Sequence, residues 1–174
     1  PSTARTTAPK PEERPMSLDV LLLEKLANWR PDSDRRTLDV SDAAGDWNVA
    51  VTAECVDVVG SRLWELSLRR TAEEAPTVEL PTRAKRVCER VTGLLEPLRL
   101  VEVDAPRQLA LLRSEQPGQL GDARFYYEVL LNGDGGASVR RYQTPNAGEP
   151  RRRQVGFTLT HEALAKLVRD LIAA

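Results

Sequence analysis

Apolar residues recur along this chain with two different periods, and the places where the period changes predict the elements. In MSLDVLLLEKLANWRP the spacing is helical. Leu18, Leu21, Leu22, Leu26 and Trp29 share one face, Ser17 is the expected N-cap, Asp19 sits in the first turn and Pro31 is the stop. Val20, Leu23 and Ala27 widen the apolar surface beyond what one contact face requires. Two roles fit such a helix: a wedge between a sheet and a neighbouring element, or a surface that docks on a partner through Leu18, Leu22, Leu26 and Trp29.

The period then drops to two. Trp47, Val49, Val51, Ala53 and Cys55 alternate with polar or small residues, and so do Trp64, Leu66 and Leu68 beyond Gly60-Ser61. A two-residue Gly60-Ser61 turn predicts a hairpin with Val59 opposite Arg62, Cys55 opposite Leu66 and Ala53 opposite Leu68. Asp57 continues the inward row and would face Trp64 at a fraying end. TRAKRVCERVTGLLEP returns to helical spacing, with Ala84, Val87, Cys88, Val91, Leu94 and Leu95 in one stripe. Thr82 is its expected cap and Pro97 its stop. Arg83, Lys85, Arg86 and Arg90 are expected on its solvated faces.

Two short strands, LRLVEVD and QLALLRS, flank the Ala105-Pro106 turn. ARFYYEVLLNGDGGASVRRY follows. Centred on Asp134, it pairs Leu131 with Ala137, Val129 with Val139, Glu128 with Arg140 and Tyr126 with Tyr142, so apolar, charged and aromatic partners all match. RRRQVGFTLT adds a possible last strand. HEALAKLVRDLIAA closes the chain as a helix, with Thr160 as N-cap and a stripe from Ala163, Leu164, Leu167, Val168, Leu171 and Ile172. The order α-ββ-α-ββββ(β)-α predicts an α+β fold: a mainly antiparallel sheet of about six to seven strands with helices on one face.

Composition then narrows the function. Residues 1–15 hold four prolines and no large apolar side chain, so a disordered arm precedes a domain at 16–174. The chain starts at Pro1 rather than Met, which suggests a processed or partial sequence. Lys plus Arg number 25 and Asp plus Glu 26, a net charge of −1 that supplies no global pull toward nucleic acid or an anionic membrane. No apolar run nears the roughly 20 residues of a membrane span, and the expected compartment is the cytoplasm. With three Trp, three Tyr and two Phe, the core is built mainly from Leu, Val and Ala. Cys55 and Cys88 both fall on apolar faces, as reduced core residues or as one strand-to-helix bridge.

The glycine-rich NGDGG invites a cofactor reading, and each such reading fails at a named position. No Lys follows for a Walker loop. Ser138 stands at the third glycine of a dinucleotide fingerprint. Gly136, Ala137 and Gln143 occupy the fifth, sixth and twelfth positions of a calcium loop. A turn is what remains. One histidine, His161, and two separated cysteines do not make a closed zinc site or a nucleophilic dyad. No catalytic residue, metal or cofactor is therefore assigned.

Arg140, Arg141, Arg151, Arg152 and Arg153 crowd one stretch in which Glu149 is the lone acid. Convergence of these arginines beside Tyr126, Tyr127 and Tyr142 would make an anion or single-stranded nucleic-acid site, but strand alternation separates Arg140 from Arg141. The leading expectation is a non-catalytic protein-protein interaction domain of adaptor or chaperone-like type, binding another protein or a second copy of itself. Nucleic-acid binding and a small-ligand pocket between sheet and helices, lined by Trp47, Trp64 and Cys88, are the alternatives.

Overall fold

The computed structural model describes residues 16–31, 34–74, 78–145 and 151–174. The expected arm at 1–15 and the loop tip at 146–150 lie outside the described residues. Among the described residues, three helices and ten strands follow in the order α1 (Leu18–Asn28), β1 (Arg36–Ser41), β2 (Trp47–Val56), β3 (Gly60–Arg70), α2 (Leu80–Arg90), β4 (Leu98–Asp104), β5 (Leu109–Ser114), β6 (Gly118–Leu120), β7 (Ala123–Asn132), β8 (Ala137–Gln143), β9 (Arg153–Val155), β10 (Phe157–Thr160) and α3 (His161–Ile172). The α+β architecture and the antiparallel sheet are as the sequence predicts. The added strands are β1 and the short β6, and the expected last strand in RRRQVGFTLT is divided into β9 and β10.

The sheet runs β1-β2-β3-β8-β7-β5-β4, with β6 on β7, β9 on β8 and β10 on β3. Its register lines up apolar rows across all seven strands of that path. Leu38, Val51, Leu66, Val139, Val129, Leu112 and Leu100 are successive partners in one row. Val40, Val49, Leu68, Ala137, Leu131, Ala110 and Val103 form the next. The five central members of each row are buried, and the helices cover this face. α1 lies over β1 and β2, α3 over β3 and β10, and α2 over β4, β5 and β7, with α3 touching both other helices. The buried side chains make one contiguous cluster from Leu18 to Ala174.

That arrangement settles the role of the α1 stripe. Leu22 and Leu26 are fully buried and Leu18 nearly so, while Trp29 and Leu21 pack half-buried at the margin. Leu18, Leu22 and Leu26 of the expected docking residues are thus committed to the chain's own core, and Trp29 is half-buried at its edge. The exposed apolar positions near α1 are Met16 and Val20.

The first hairpin is present with a different turn and register. Cys55 pairs with Arg62 and Val56 with Ser61, and the irregularities between Thr52 and Cys55 place Val51, not Cys55, opposite Leu66. These shifts turn Cys55 outward, so it is an exposed free thiol rather than a core residue. Cys88 is half-buried and also free. Asp57 is not a frayed inward residue. Its Oδ1 accepts the backbone N–H groups of Val59 and Gly60, both at 2.7 Å, and builds the turn. Those bonds, Gly60 foremost, hold its carboxyl below the usual carboxylate range. A depressed folded pKa means the turn's stabilisation is present above the ordinary carboxylate value and is lost as pH falls through the lowered one. Asp57→Ala is expected to flatten that part of the acid limb in a pH series of urea midpoints, whereas Asp39→Ala, on an exposed strand position, leaves it in place.

α2 starts two residues before the expected cap, with Pro81 in its first turn, and ends at Arg90. Leu94 and Leu95 consequently leave the helix; Leu94 is buried and Leu95 is 76% exposed. Arg83 is not on a solvated face. It is 5% exposed, and its Nη1 donates to the Gly136 carbonyl at 2.9 Å. The second hairpin follows the predicted register at every pair, including Glu128 opposite Arg140 and Tyr126 opposite Tyr142. Gly135 takes φ 96° at its tip, a conformation that favours glycine. α3 is capped as expected, with the Thr160 hydroxyl accepting from the Ala163 N–H at 3.1 Å.

Candidate functional site

The third row of the inward face departs from the apolar pattern. Here β3 and β8, paired only from Leu66–Leu68 to Ala137–Val139, lose each other. The segment carrying β9 and β10 takes up the gap, leaning on β8 through Arg153–Val155 and on β3 through Phe157–Thr160. On this row stand Ser114, Tyr127 and Arg141. Arg141 Nη2 donates to Glu96 Oε1 at 2.8 Å and Nη1 to the Tyr127 hydroxyl at 2.9 Å. The Ser114 hydroxyl donates to Glu96 Oε2 at 3.3 Å and accepts the Tyr127 N–H at 2.7 Å. Burial pushes the Tyr127 hydroxyl above its ordinary pKa, a shift that the adjacent Arg141 opposes. The Arg141 guanidinium lies 4.5 Å from the centre of the Tyr127 ring. At Gly118 a Cβ would come within 2.4 Å of Glu96 Oε1, so a side chain there would displace the carboxylate from the ion pair.

This network floors a cleft of about 660 Å³, within the size range of ligand sites. Its walls come from the loop after α2 (Leu95, Glu96), from β6 and β7 (Leu120, Phe125) and from the β9–β10 segment (Arg153, Phe157). Arg62 of β3 also lines it. Leu95 and Leu120 are 76% and 77% exposed, a cost in water that a monomer's surface rarely concentrates at one opening. Three arginines line the cleft against one acid, and that acid is held by Arg141. Arg153 finds an amide partner, donating to Gln143 Oε1 at 2.8 Å, and Arg62 pairs with Glu54 at 3.0 Å. The lining contains no histidine or cysteine.

No family model, curated protein or solved structure matches this chain.

The five arginines of the sequence cluster divide between the two faces of the sheet. Arg141 and Arg153 turn into the cleft. Arg140 and Arg152 turn to the open face, and Arg151 is exposed with no ion pair among the described residues. Alternation along β8 produces the first division, and the same period separates Arg152 from Arg153. On the open face, Arg113, Glu128, Arg140 and Glu65 lie in successive strands with alternating charge. Arg140 bonds to Glu65 at 2.9 Å, and Glu128 is shared by Arg113 at 2.9 Å and by Arg152. The cross-strand Glu128–Arg140 ion pair read from the sequence is therefore replaced, although the two residues are in register. Each partner found closer support on the next strand.

The same face explains the tyrosines. Tyr126 and Tyr142 stack on each other with centres 5.9 Å apart, and Arg152 covers Tyr142 at 4.1 Å. Arg35 covers Trp64 at 3.3 Å. Ring faces that could stack a nucleobase are occupied by the protein's own guanidinium groups. Tyr127 sits on the opposite face, fully buried.

None of Trp47, Trp64 and Cys88, the expected pocket lining, lines this cleft; Trp64 lies under Arg35 on the open face. Arg62, Glu96, Gly118, Leu120 and Phe125 escaped sequence reasoning. A signal existed for one of them: Glu96 directly follows the apolar Leu94-Leu95 pair and precedes a proline. His161 is the first residue of α3 and stands apart from the cleft lining. Among the described residues no group of three His, Cys, Asp or Glu is placed to hold a metal ion, and no helix is long and apolar enough to cross a membrane.

Proposed function

We propose that this is a non-catalytic protein-binding domain and that its partner is held in the Arg141 cleft, through an apolar side chain accompanied by an acidic one. One observation carries this reading. Leu95 and Leu120, on separate segments, expose large aliphatic side chains at the same opening that Arg62, Arg141 and Arg153 line. An apolar anchor removes the leucines from water, and an acidic neighbour meets the excess of positive charge. Burying both leucine side chains is worth about 1.5–3 kcal/mol each before the costs of association. The proposed site thus differs from the α1 face expected from the sequence and is built from the loop after α2, β6, β7 and the β9–β10 segment.

Selection from a random peptide library on immobilised domain tests the proposal. The expected consensus joins Leu, Ile or Phe to a nearby Asp or Glu, and affinity for the selected peptides falls with added salt. Leu120→Asp and Arg153→Glu should each weaken those peptides about tenfold or more while leaving the thermal midpoint near wild type, since both side chains are surface-accessible. Failure to enrich any peptide, or binding indifferent to both substitutions, rules the cleft out. The nucleic-acid alternative has less support, because the open-face rings are covered and the arginines there are shared among Glu54, Glu65 and Glu128.

A further inference from the structure

At the other end of β8 the NGDGG tip forms a wall of a second, smaller pocket of about 220 Å³. Arg70, at the end of β3, and Arg83, in the first turns of α2, both line it, together with Trp47, Ile172 and Gly135. The lining contains no acidic side chain. Arg83 is 95% removed from solvent by its 5% exposure. Its contacts are main-chain carbonyls: Gly136 at 2.9 Å, Leu171 at 3.4 Å and Asn132 at 3.5 Å. Neither Arg70 nor Arg83 makes an ion pair among the described residues.

Carbonyl dipoles satisfy hydrogen-bonding capacity, yet they leave a full formal charge in a dry site. Burial acts most strongly against the Arg83 charge, and the neighbouring Arg70 acts against it too, more weakly than Asp134 supports it. Asp134, exposed at the hairpin tip, is the acid whose field opposes them. Its Oδ1 accepts the Gly136 N–H at 2.8 Å. Arg35, Arg62, Arg113, Arg140, Arg141 and Arg152 sit against glutamates; here two arginines converge on one hollow without one.

We infer that this pocket binds a small oxyanion of phosphate type, held between Arg70 and Arg83. The guanidinium fork suits an oxyanion with several acceptor oxygens, and a doubly charged group matches two arginines that line one hollow without a direct ion pair among the described residues. The pocket's size admits such a group. By bridging β3 and α2 beside the Gly135 turn, the anion would tie together three segments that are distant in sequence.

The test is thermal unfolding of the whole chain in inorganic phosphate against chloride at matched ionic strength, with amide NMR shifts of Gly135 followed in parallel. A site raises the folded-to-unfolded ratio about tenfold at ten times its dissociation constant, and the shift saturates. Arg70→Gln, at a half-buried strand end, should fold and lose both the stabilisation and the Gly135 shift. Arg153→Gln, in the separate cleft, should keep both. Equal midpoints in phosphate and chloride, a response retained by Arg70→Gln, or an equal response to acetate would each overturn the assignment.

Discussion

Leu22→Asp is expected to leave the chain unfolded. Leu22 is fully buried among α1, α3 and the sheet, and truncation of such a leucine to alanine costs about 2–5 kcal/mol. A carboxylate at the same position adds the cost of desolvating a charge without a partner, again several kcal/mol. The sum approaches the whole stability of a typical domain, about 5–15 kcal/mol. Far-UV circular dichroism and size-exclusion chromatography should show loss of structure or aggregation. Val20→Asp, at a position 40% exposed on the same helix, should change stability by less than about 1 kcal/mol. A folded, monomeric Leu22→Asp variant would mean that α1 does not pack on the sheet and would return it to the list of docking surfaces. The substitution is consequently a poor probe of partner binding, because any lost interaction would report lost folding.

The second large effect lies at the floor of the cleft. Glu96 and Arg141 have side chains 10% and 13% exposed, so removal of either strands a nearly buried charge. Glu96→Ala and Arg141→Ala should each destabilise the protein by about 3–5 kcal/mol. The double variant should lose much less than the sum, giving a coupling energy of about 1–3 kcal/mol in a urea-monitored double-mutant cycle. Arg141→Ala also withdraws the donor from the Tyr127 hydroxyl and is expected to be the worse of the two. If both single variants unfold at the wild-type midpoint, the pair contributes no more than a surface ion pair, and the cleft floor lacks the rigidity that a preorganised site needs. By contrast, Arg140→Ala at the more exposed pair with Glu65 should cost under about 1 kcal/mol.

Several features were legible because they are local. The α3 stripe and its Thr160 cap lie within one helix, and helical spacing alone specifies them. The Asp134 hairpin pairs residues a few positions apart across a tight turn, so matching side chains identify its register. The first hairpin was equally local and yet misread. Gly60-Ser61 looked like the turn, whereas Asp57 captures two backbone N–H groups and moves the turn upstream, with bulges absorbing the difference. Arg83 carried a readable signal: it lies four residues before Val87, on the buried stripe. Charge argued for solvent, and the carbonyls that accept its N–H groups belong to segments about 50 and 90 residues away, which no local period reveals.

The sequence by itself determined the three helices, the longer strands apart from β1, and the α+β class, because side-chain period is a property of the local backbone. It also separated Arg140 from Arg141, since a strand sends neighbours to opposite sides. Tertiary structure decided what those faces meet. The parting of β3 from β8 opens the cleft, and the helix layer stops short of it. Glu65 rather than Glu128 receives Arg140, and α1 spends its leucines on the core. Each of these depends on contacts between segments far apart in sequence. Distance and burial, which only the folded chain sets, determine there which of several chemically equal partners a side chain takes.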